Sequence, residues 1–467
     1  MTEPALIENI PYDDLQIGQS ASTTRTLTGR DIALFAALSG DVNPAHLDAD
    51  YAKGTVFHDV IGHGLWGGAL ISAVLGVQLP GPGTVYLSQS LNFHRPVRIG
   101  DAVTFTVTVK AKGEKGRVTL DCACLTPNQE PVITGEAVVI APREKVRRPA
   151  PERPQAVLYE RGERIQALIE EAAQCGPPVR VAIAHPVNAV TLDGVAAARG
   201  RGLMTPVLVG PRAKIEAAAA ETDFDLSGTE IVDAPHSHAA ADAAVALARE
   251  GGADALMKGA LHTDELMGAV VARAGGLRTA RRVCHVYVMD TPAYEKLLFI
   301  SDAAVNIAPD LEAKADIVQN AIDVAQTVGV AEPKVAVLSA VETVDPKMAS
   351  TLDAAALCKM ADRGQITGGV VDGPLAFDNA ISREATAVKH IISPVAGQAD
   401  VLIAPNLEAG NMIAKQLDYL AGAVAAGLVV GARVPIILTS RAEGALARLA
   451  ASAVAKLYAC NIGDKRP

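Results

Sequence analysis

The chain has 467 residues, enough for two to four domains of ordinary size, and its 49% hydrophobic, 3% aromatic and 20% charged residues speak for packed globular domains and against disorder. A formal net charge of -10 with a single Trp argues against a nucleic-acid partner, because phosphate contacts dominate that affinity. The six cysteines, Cys122, Cys124, Cys175, Cys284, Cys358 and Cys460, include no C-x-x-C pair, so neither a zinc site nor a disulfide framework is expected.

Met1 to Asp14 carries Glu3, Glu8, Asp13 and Asp14 without a basic region leading into an apolar core. No signal peptide is expected, and the cytoplasm is the expected location. Thr28, followed three residues on by Asp31, predicts a capped helix whose apolar stripe is Ile32, Leu34, Phe35 and Leu38. The segment Leu38-Ser39-Gly40-Asp41-Val42-Asn43-Pro44-Ala45-His46 should stop that helix, since Pro44 disfavours the α region for Asn43 and donates no backbone hydrogen bond. Asp41 and His46 then sit on an irregular, non-helical turn, where a carboxylate and an imidazole can share acid/base work or merely form the turn.

Phe57-His58-Asp59-Val60-Ile61-Gly62-His63-Gly64 follows, and then an apolar helix from Leu65 to Val77, whose Gly64, Gly67, Gly68, Ala69, Ser72, Ala73 and Gly76 make one side small. From Thr84 the texture turns β-branched and alternating, with strands centred on residues 85–93, 103–109, 118–122 and 132–140. A long apolar helix followed by antiparallel strands predicts a curved sheet wrapped round it. Residues 143–154, rich in proline and charge, predict an extended linker. From 155 onward short apolar runs alternate with Ala-rich helices, which predicts a mainly parallel sheet with helices on both faces. The most apolar stretch, Ala421 to Leu438, contains Arg433 and Pro435 and falls short of a membrane-spanning helix.

Ser39-Gly40-Asp41-x-Asn43-Pro44-x-His46-x-Asp48, with Ile61-Gly62-His63-Gly64-Leu65, the Pro80-Gly81-x-Gly83 turn and Phe93-x-x-Pro96-Val97, resembles the MaoC-like (R)-specific enoyl-CoA hydratases. The resemblance covers residues 12 to 142 and implies a hot-dog fold. It further implies that Asp41 and His46 activate the water, that Asn43 lies by the substrate, that the Gly64 N–H donates to the thioester oxygen, and that Ser72 supports the pocket. Hydration of an enoyl thioester needs a base for water, an acid for Cα and donors for the developing enolate, which is why these residue types belong together.

In the second half, Leu256-Met257-Lys258-Gly259-Ala260-Leu261-His262-Thr263, Ile300-Ser301-Asp302-Ala303-Ala304-Val305-Asn306, Val371-Asp372-Gly373-Pro374 with Phe377-Asp378-Asn379, Pro405-Asn406-Leu407-Glu408-Ala409-Gly410-Asn411 and Leu438-Thr439-Ser440-Arg441 are similar to phosphate acetyl- and butyryltransferases. That resemblance implies direct acyl transfer between CoA and inorganic phosphate without a metal, on an α/β two-subdomain fold of the isocitrate/isopropylmalate dehydrogenase type. Ser440 and Arg441 would then serve catalysis, and Lys258, His262, Thr263, Asp372, Asn379, Gly410 and Asn411 would serve the substrates. An aspartate the acetyl-type enzymes carry seven residues beyond that serine is replaced by Ala447, and Glu443 is the nearest carboxylate.

The expectation is therefore a multidomain chain: an α+β hot-dog domain over 1–142, a linker over 143–154 and an α/β acyltransferase domain over 155–467. Its expected chemistry is hydration of enoyl-CoA and acyl transfer to phosphate, or hydration alone with a C-terminal domain that senses acyl-CoA. CoA thioesters and phosphate are the expected substrates, with no bound cofactor, no membrane, and assembly as a homo-oligomer.

Overall fold

Thr28 Oγ1 accepts from the Asp31 N–H while the Asp31 carboxylate accepts from the Thr28 N–H, a closed capping box that starts helix α1 (Gly29–Ser39). Gly40, in the left-handed region at φ 74°, ends it. The computed structural model describes residues 6–150, 162–222, 224–438 and 444–462, and the chain divides into two units, Met1–Leu158 and Tyr159–Pro467.

The first unit runs β1 (Leu6–Glu8), β2 (Ser20–Thr26), α1, α2 (Pro44–Leu47), α3 (Ala49–Lys53), α4 (Gly64–Val77), β3 (Val85–Phe93), β4 (Ala102–Lys112), β5 (Arg117–Leu125), β6 (Pro131–Ile140) and β7 (Arg147–Pro149). Five strands pair antiparallel in the order β2-β4-β5-β6-β3. Alternation along β4 and β5 turns Val103, Phe105, Val107 and Val109, and Val118, Leu120, Cys122 and Cys124, to one face. Those side chains share a core with Ile71, Val74 and Leu75 of α4. Full burial of each large one is worth roughly 1.5–3 kcal/mol. The small side of α4 is used: a Cβ on Gly67 would stand 2.3 Å from Ile133 Cδ1, closer than two carbons approach.

Two expectations change here. Pro44 does not keep its turn out of helix but opens α2 at the first helical position, with Asn43 Oδ1 accepting from Ala45 N. Its fixed φ suits that position and its missing N–H would have had no partner there. Residues 143–150 are not a free spacer either. β7 pairs antiparallel with β1, and the fully buried Asn9 side chain accepts from Val146 N and donates to Glu144 O. Residues 151–154 lie outside the described residues.

The second unit runs α5 (Glu163–Gln174), β8 (Val179–Ala184), α6 (Ala189–Gly200), β9 (Met204–Gly210), α7 (Arg212–Ala220), β10 (Glu230–Asp233), α8 (Ser237–Arg249), β11 (Ala255–Lys258) and α9 (Thr263–Val270). It continues through β12 (Cys284–Asp290), β13 (Leu298–Ser301), α10 (Leu311–Thr327), β14 (Lys334–Leu338), α11 (Ala349–Asp362), β15 (Val370–Leu375), α12 (Phe377–Ile381) and α13 (Arg383–Val388). β16 (Val401–Ile403), α14 (Leu407–Ala421), β17 (Val424–Val430), β18 (Ile436–Ile437) and α15 (Ala445–Asn461) complete it.

Among the described residues its strands join one eleven-stranded sheet in the order β10-β9-β8-β11-β18-β17-β12-β13-β16-β14-β15. Pairing is parallel from β10 to β18 and from β13 to β15, as expected, but β18–β17, β17–β12 and β12–β13 are antiparallel. The sheet is therefore mixed, and the reason is connection length. Thr291–Leu297 between β12 and β13, and Gly431–Pro435 between β17 and β18, are too short to carry a crossover. Separate apolar clusters sit under α5, α6, α10 and α15, under α8 and α9, and under α12 and α14. Among the described residues no helix is long and apolar enough to cross a membrane.

Candidate functional sites

In the first unit the loop after α1 carries Asp41, α2 carries His46, and the segment into α4 brings His63 within 4.8 Å of both and Gly64 next to it. Gly40 turns the chain, and the Asp41 Oδ1 accepts from Asn43 N at 3.3 Å, leaving the carboxylate exposed. His46 Nδ1 is 2.8 Å from Ile61 O, which fixes the ring against the strand-like segment before α4. The next imidazole, His63, lies 3.9 Å from His46 between ring centroids, and its Nε2 reaches Asp41 O at 2.9 Å. Sequence reading gave His63 no role; the His-Gly step into α4 was its only trace.

His46, His63 and Gly64 line a cavity of about 300 Å³ with Trp66, Phe93 and Phe105 among its apolar walls. Trp66 meets Phe105 edge-on at 5.5 Å. Gly64 is the first residue of α4, where backbone N–H groups lack helical partners and the dipole favours negative charge. Its missing side chain matters too, since a Cβ there would stand 2.9 Å from the Phe93 ring. Asn43 is engaged as the cap of α2, and Ser72 is exposed on α4 and absent from the cavity lining.

In the second unit, Lys258 ends β11, His262 and Thr263 start α9, and Asn411 lies on α14. All four line a cavity of about 460 Å³ with His285, Tyr287 and Leu438. Lys258 Nζ donates to Gly259 O and Leu261 O at 3.3 and 3.2 Å. Asn411 Nδ2 donates to Ala303 O at 3.0 Å. His285 and Tyr287 were missed because alternation on a strand such as β12 reads as core. The His285 ring is buried and packs on Tyr287 at 4.3 Å. Burial pushes its imidazole down to about 4, with the nearby Asp302 carboxylate opposing.

Three expected site residues have other duties. Gly410 lets α14 close on the Asp302 loop, for a Cβ would be 2.2 Å from Asp302 O. Asn379 is buried and donates to Glu342 Oε2 at 3.1 Å, and Asp372 Oδ1 accepts from Gly373 N. None of the three lines the cavity of Lys258. Ser440, Arg441 and Glu443 lie outside the described residues. Leu438, the last described residue before them, lines the Lys258 cavity, and Gly444 and Ala447, just after them, line a cavity of about 570 Å³ with Asp418. Tyr287 and Asp418 also line a small pocket together. Sequence reading did not single out Asp418, since nothing local marks it.

Residues 239–455 match the family described as "Phosphate acetyl/butaryl transferase", and residues 14–122 match "MaoC like domain". A phosphate acetyltransferase of Rhizobium meliloti is 62% identical over 288 residues, 62% of this chain and 91% of that protein. A branched-chain phosphotransacylase of Enterococcus faecalis is 30% identical, covering 60% of this chain and 99% of that one with a TM-score of 0.54. An (R)-hydratase of Pseudomonas aeruginosa is 44% identical over 33% of this chain and 99% of that one, with a TM-score of 0.32.

Proposed function

We propose, for a chain that belongs to the phosphate acetyl/butyryl transferase family and carries a MaoC-like domain ahead of it, a division of labour between two acyl-CoA chemistries. The first unit hydrates trans-2-enoyl-CoA to (R)-3-hydroxyacyl-CoA, and the second moves an acyl group between CoA and inorganic phosphate. The single observation that carries the first half is that His46 and the α4 N-terminus meet at one apolar cavity, with the Asp41 carboxylate within 4.8 Å of the His46 ring nitrogen.

In hydration, His46 Nε2 and the Asp41 carboxylate hold a water and take its proton as its oxygen bonds to Cβ. The proton is returned to Cα, and the Gly64 N–H donates to the thioester oxygen while negative charge resides there. Apolar walls strengthen that donor by keeping the site at low dielectric. In acyl transfer, the CoA thiolate attacks the acyl carbonyl and phosphate leaves, held by Lys258, His262, Thr263 and Asn411. Arg441 offers a bidentate donor to phosphate and oxyanion, and Ser440 a hydrogen bond to the thiolate. Asp418, on the cavity wall with Ala447, is our candidate for the carboxylate that takes the thiol proton. A cysteine nucleophile is not needed, and burial pushes the Cys284 thiol up to about 12, which makes it inert.

The finer architecture belongs to the same reading: a hot-dog fold in front, a two-subdomain fold of the isocitrate/isopropylmalate dehydrogenase type behind, CoA thioesters and phosphate as the only ligands of the two reactions, and a cytoplasmic homo-oligomer. Edge strand β3 supports assembly, with Val85, Tyr86, Leu87 and Phe93 all exposed on it. The test is a panel of enoyl-CoA and acyl-CoA substrates on the intact chain. It should consume the double bond without releasing free thiol, and form acyl phosphate in a reaction lost in Arg441→Ala. CoA binding without acyl phosphate would instead make the second unit an acyl-CoA sensor.

A further inference from the structure

Asp41, His46 and His63 each offer one ligand atom, and those atoms lie within 4.8 Å of one another. Two backbone carbonyls decide what the imidazoles present. A carbonyl only accepts, so His46 Nδ1 at Ile61 O and His63 Nε2 at Asp41 O both carry a proton. The neutral rings then keep their lone pairs on His46 Nε2 and His63 Nδ1. His63 is 4% exposed, lines the cavity, and its Nδ1 is buried without a hydrogen-bond partner. One water has two protons to donate and meets three acceptors here. The His63 lone pair is left over, at a cost that buried polar groups rarely bear.

We propose that this triad is also a binding site for a borderline-soft divalent metal ion, zinc foremost, which displaces the reactive water and switches hydration off. Two imidazoles and a carboxylate around open positions form a donor set that suits such ions and not calcium or magnesium. The distal nitrogen of each ring already donates to a carbonyl, the support that metal-bound histidines characteristically have. Metal–ligand bonds of about 2.0–2.2 Å need the donor atoms about 3.4 Å apart, so on binding the exposed Asp41 carboxylate moves in and the two rings, 3.9 Å apart between centroids, turn away from each other. The ion binds whether or not the site hydrates enoyl-CoA; only the inhibitory consequence rests on the proposed hydration.

The full chain, stripped with chelator, is titrated with zinc chloride by calorimetry and with cobalt chloride by visible absorption. One zinc site should disappear in Asp41→Asn, in His46→Gln and in His63→Gln, and the cobalt bands of a low-coordinate site should disappear with it. Thermal melts show which variants fold, and any one that does suffices. Hydration by the unaltered chain should fall about tenfold when free zinc is about ten times its dissociation constant, acyl transfer should hold, and chelator should restore the loss. Unchanged zinc stoichiometry in the folded variants overturns the proposal, as does hydration that persists at saturating zinc. A metal-free chain that binds zinc at the triad yet hydrates nothing keeps the site and removes the hydratase reading instead.

Discussion

At the scale of single residues, two histidines behave oppositely because their surroundings differ. His46 keeps one nitrogen at a carbonyl and opens the other onto a cavity, the arrangement a base needs. We predict that Asp41→Asn or His46→Gln lowers hydration by about 10²–10⁴-fold and leaves acyl phosphate formation within twofold or so of the parent; comparable loss of both would refute the assignment. His285 is instead buried, its imidazole pushed from 6.5 down to about 4. The unfolded chain therefore takes up a proton that the folded second unit refuses, so stability present above 6.5 is lost as pH falls toward 4. Urea midpoints of the second unit should decline over that interval, and the decline should be shallower in His285→Gln. Equal slopes in the two proteins would dismiss this account.

At the scale of elements, glycines set the approach of neighbours where a side chain would separate them. A Cβ on Gly135 of β6 would lie 1.9 Å from Ser90 O of β3, the partner strand. Overpacking of this kind costs typically 1–3 kcal/mol and occasionally more, and here the obstacle is backbone that cannot rotate away. Gly135→Ala should lower the denaturant midpoint of the first unit by at least about 2 kcal/mol equivalent. Gly76, with nothing within 4 Å of its ideal Cβ, is the matched control and should tolerate Ala without loss. Similar effects at both sites would mean that strand spacing is not what Gly135 protects.

At the scale of the whole molecule, exposed apolar side chains on β3 and the charge-poor sheet edge they occupy lead us to expect assembly through the first unit. Leu87→Arg should yield a smaller species by light scattering than the parent; an unchanged mass would assign assembly to other surfaces. Fusion of two CoA-thioester activities raises the local concentration of intermediates when the sites can meet. Coupled flux through the intact chain should then exceed that of residues 1–150 and 151–467 mixed at equal concentration, and equal flux would retire the idea.

The local signals were legible without coordinates because they obey short-range rules. Thr28 with Asp31 gave the helix start, the small-residue run 64–77 gave the central helix, and the alternation of 103–109 and 118–122 gave buried strand faces. Asp41 and His46 were legible as a motif, and Lys258, His262 and Thr263 as a loop into a helix. Pro44 was misjudged because the same ring that ends one helix can begin another, and only the Asn43 cap decides which. Tertiary structure alone decided the antiparallel strands within the large sheet, the anchoring of residues 147–149 on Leu6–Glu8, and the placement of His63, His285 and Asp418 on cavity walls. These depend on what lies opposite each residue across tens or hundreds of positions, and sequence periodicity carries a residue's face but not its partner.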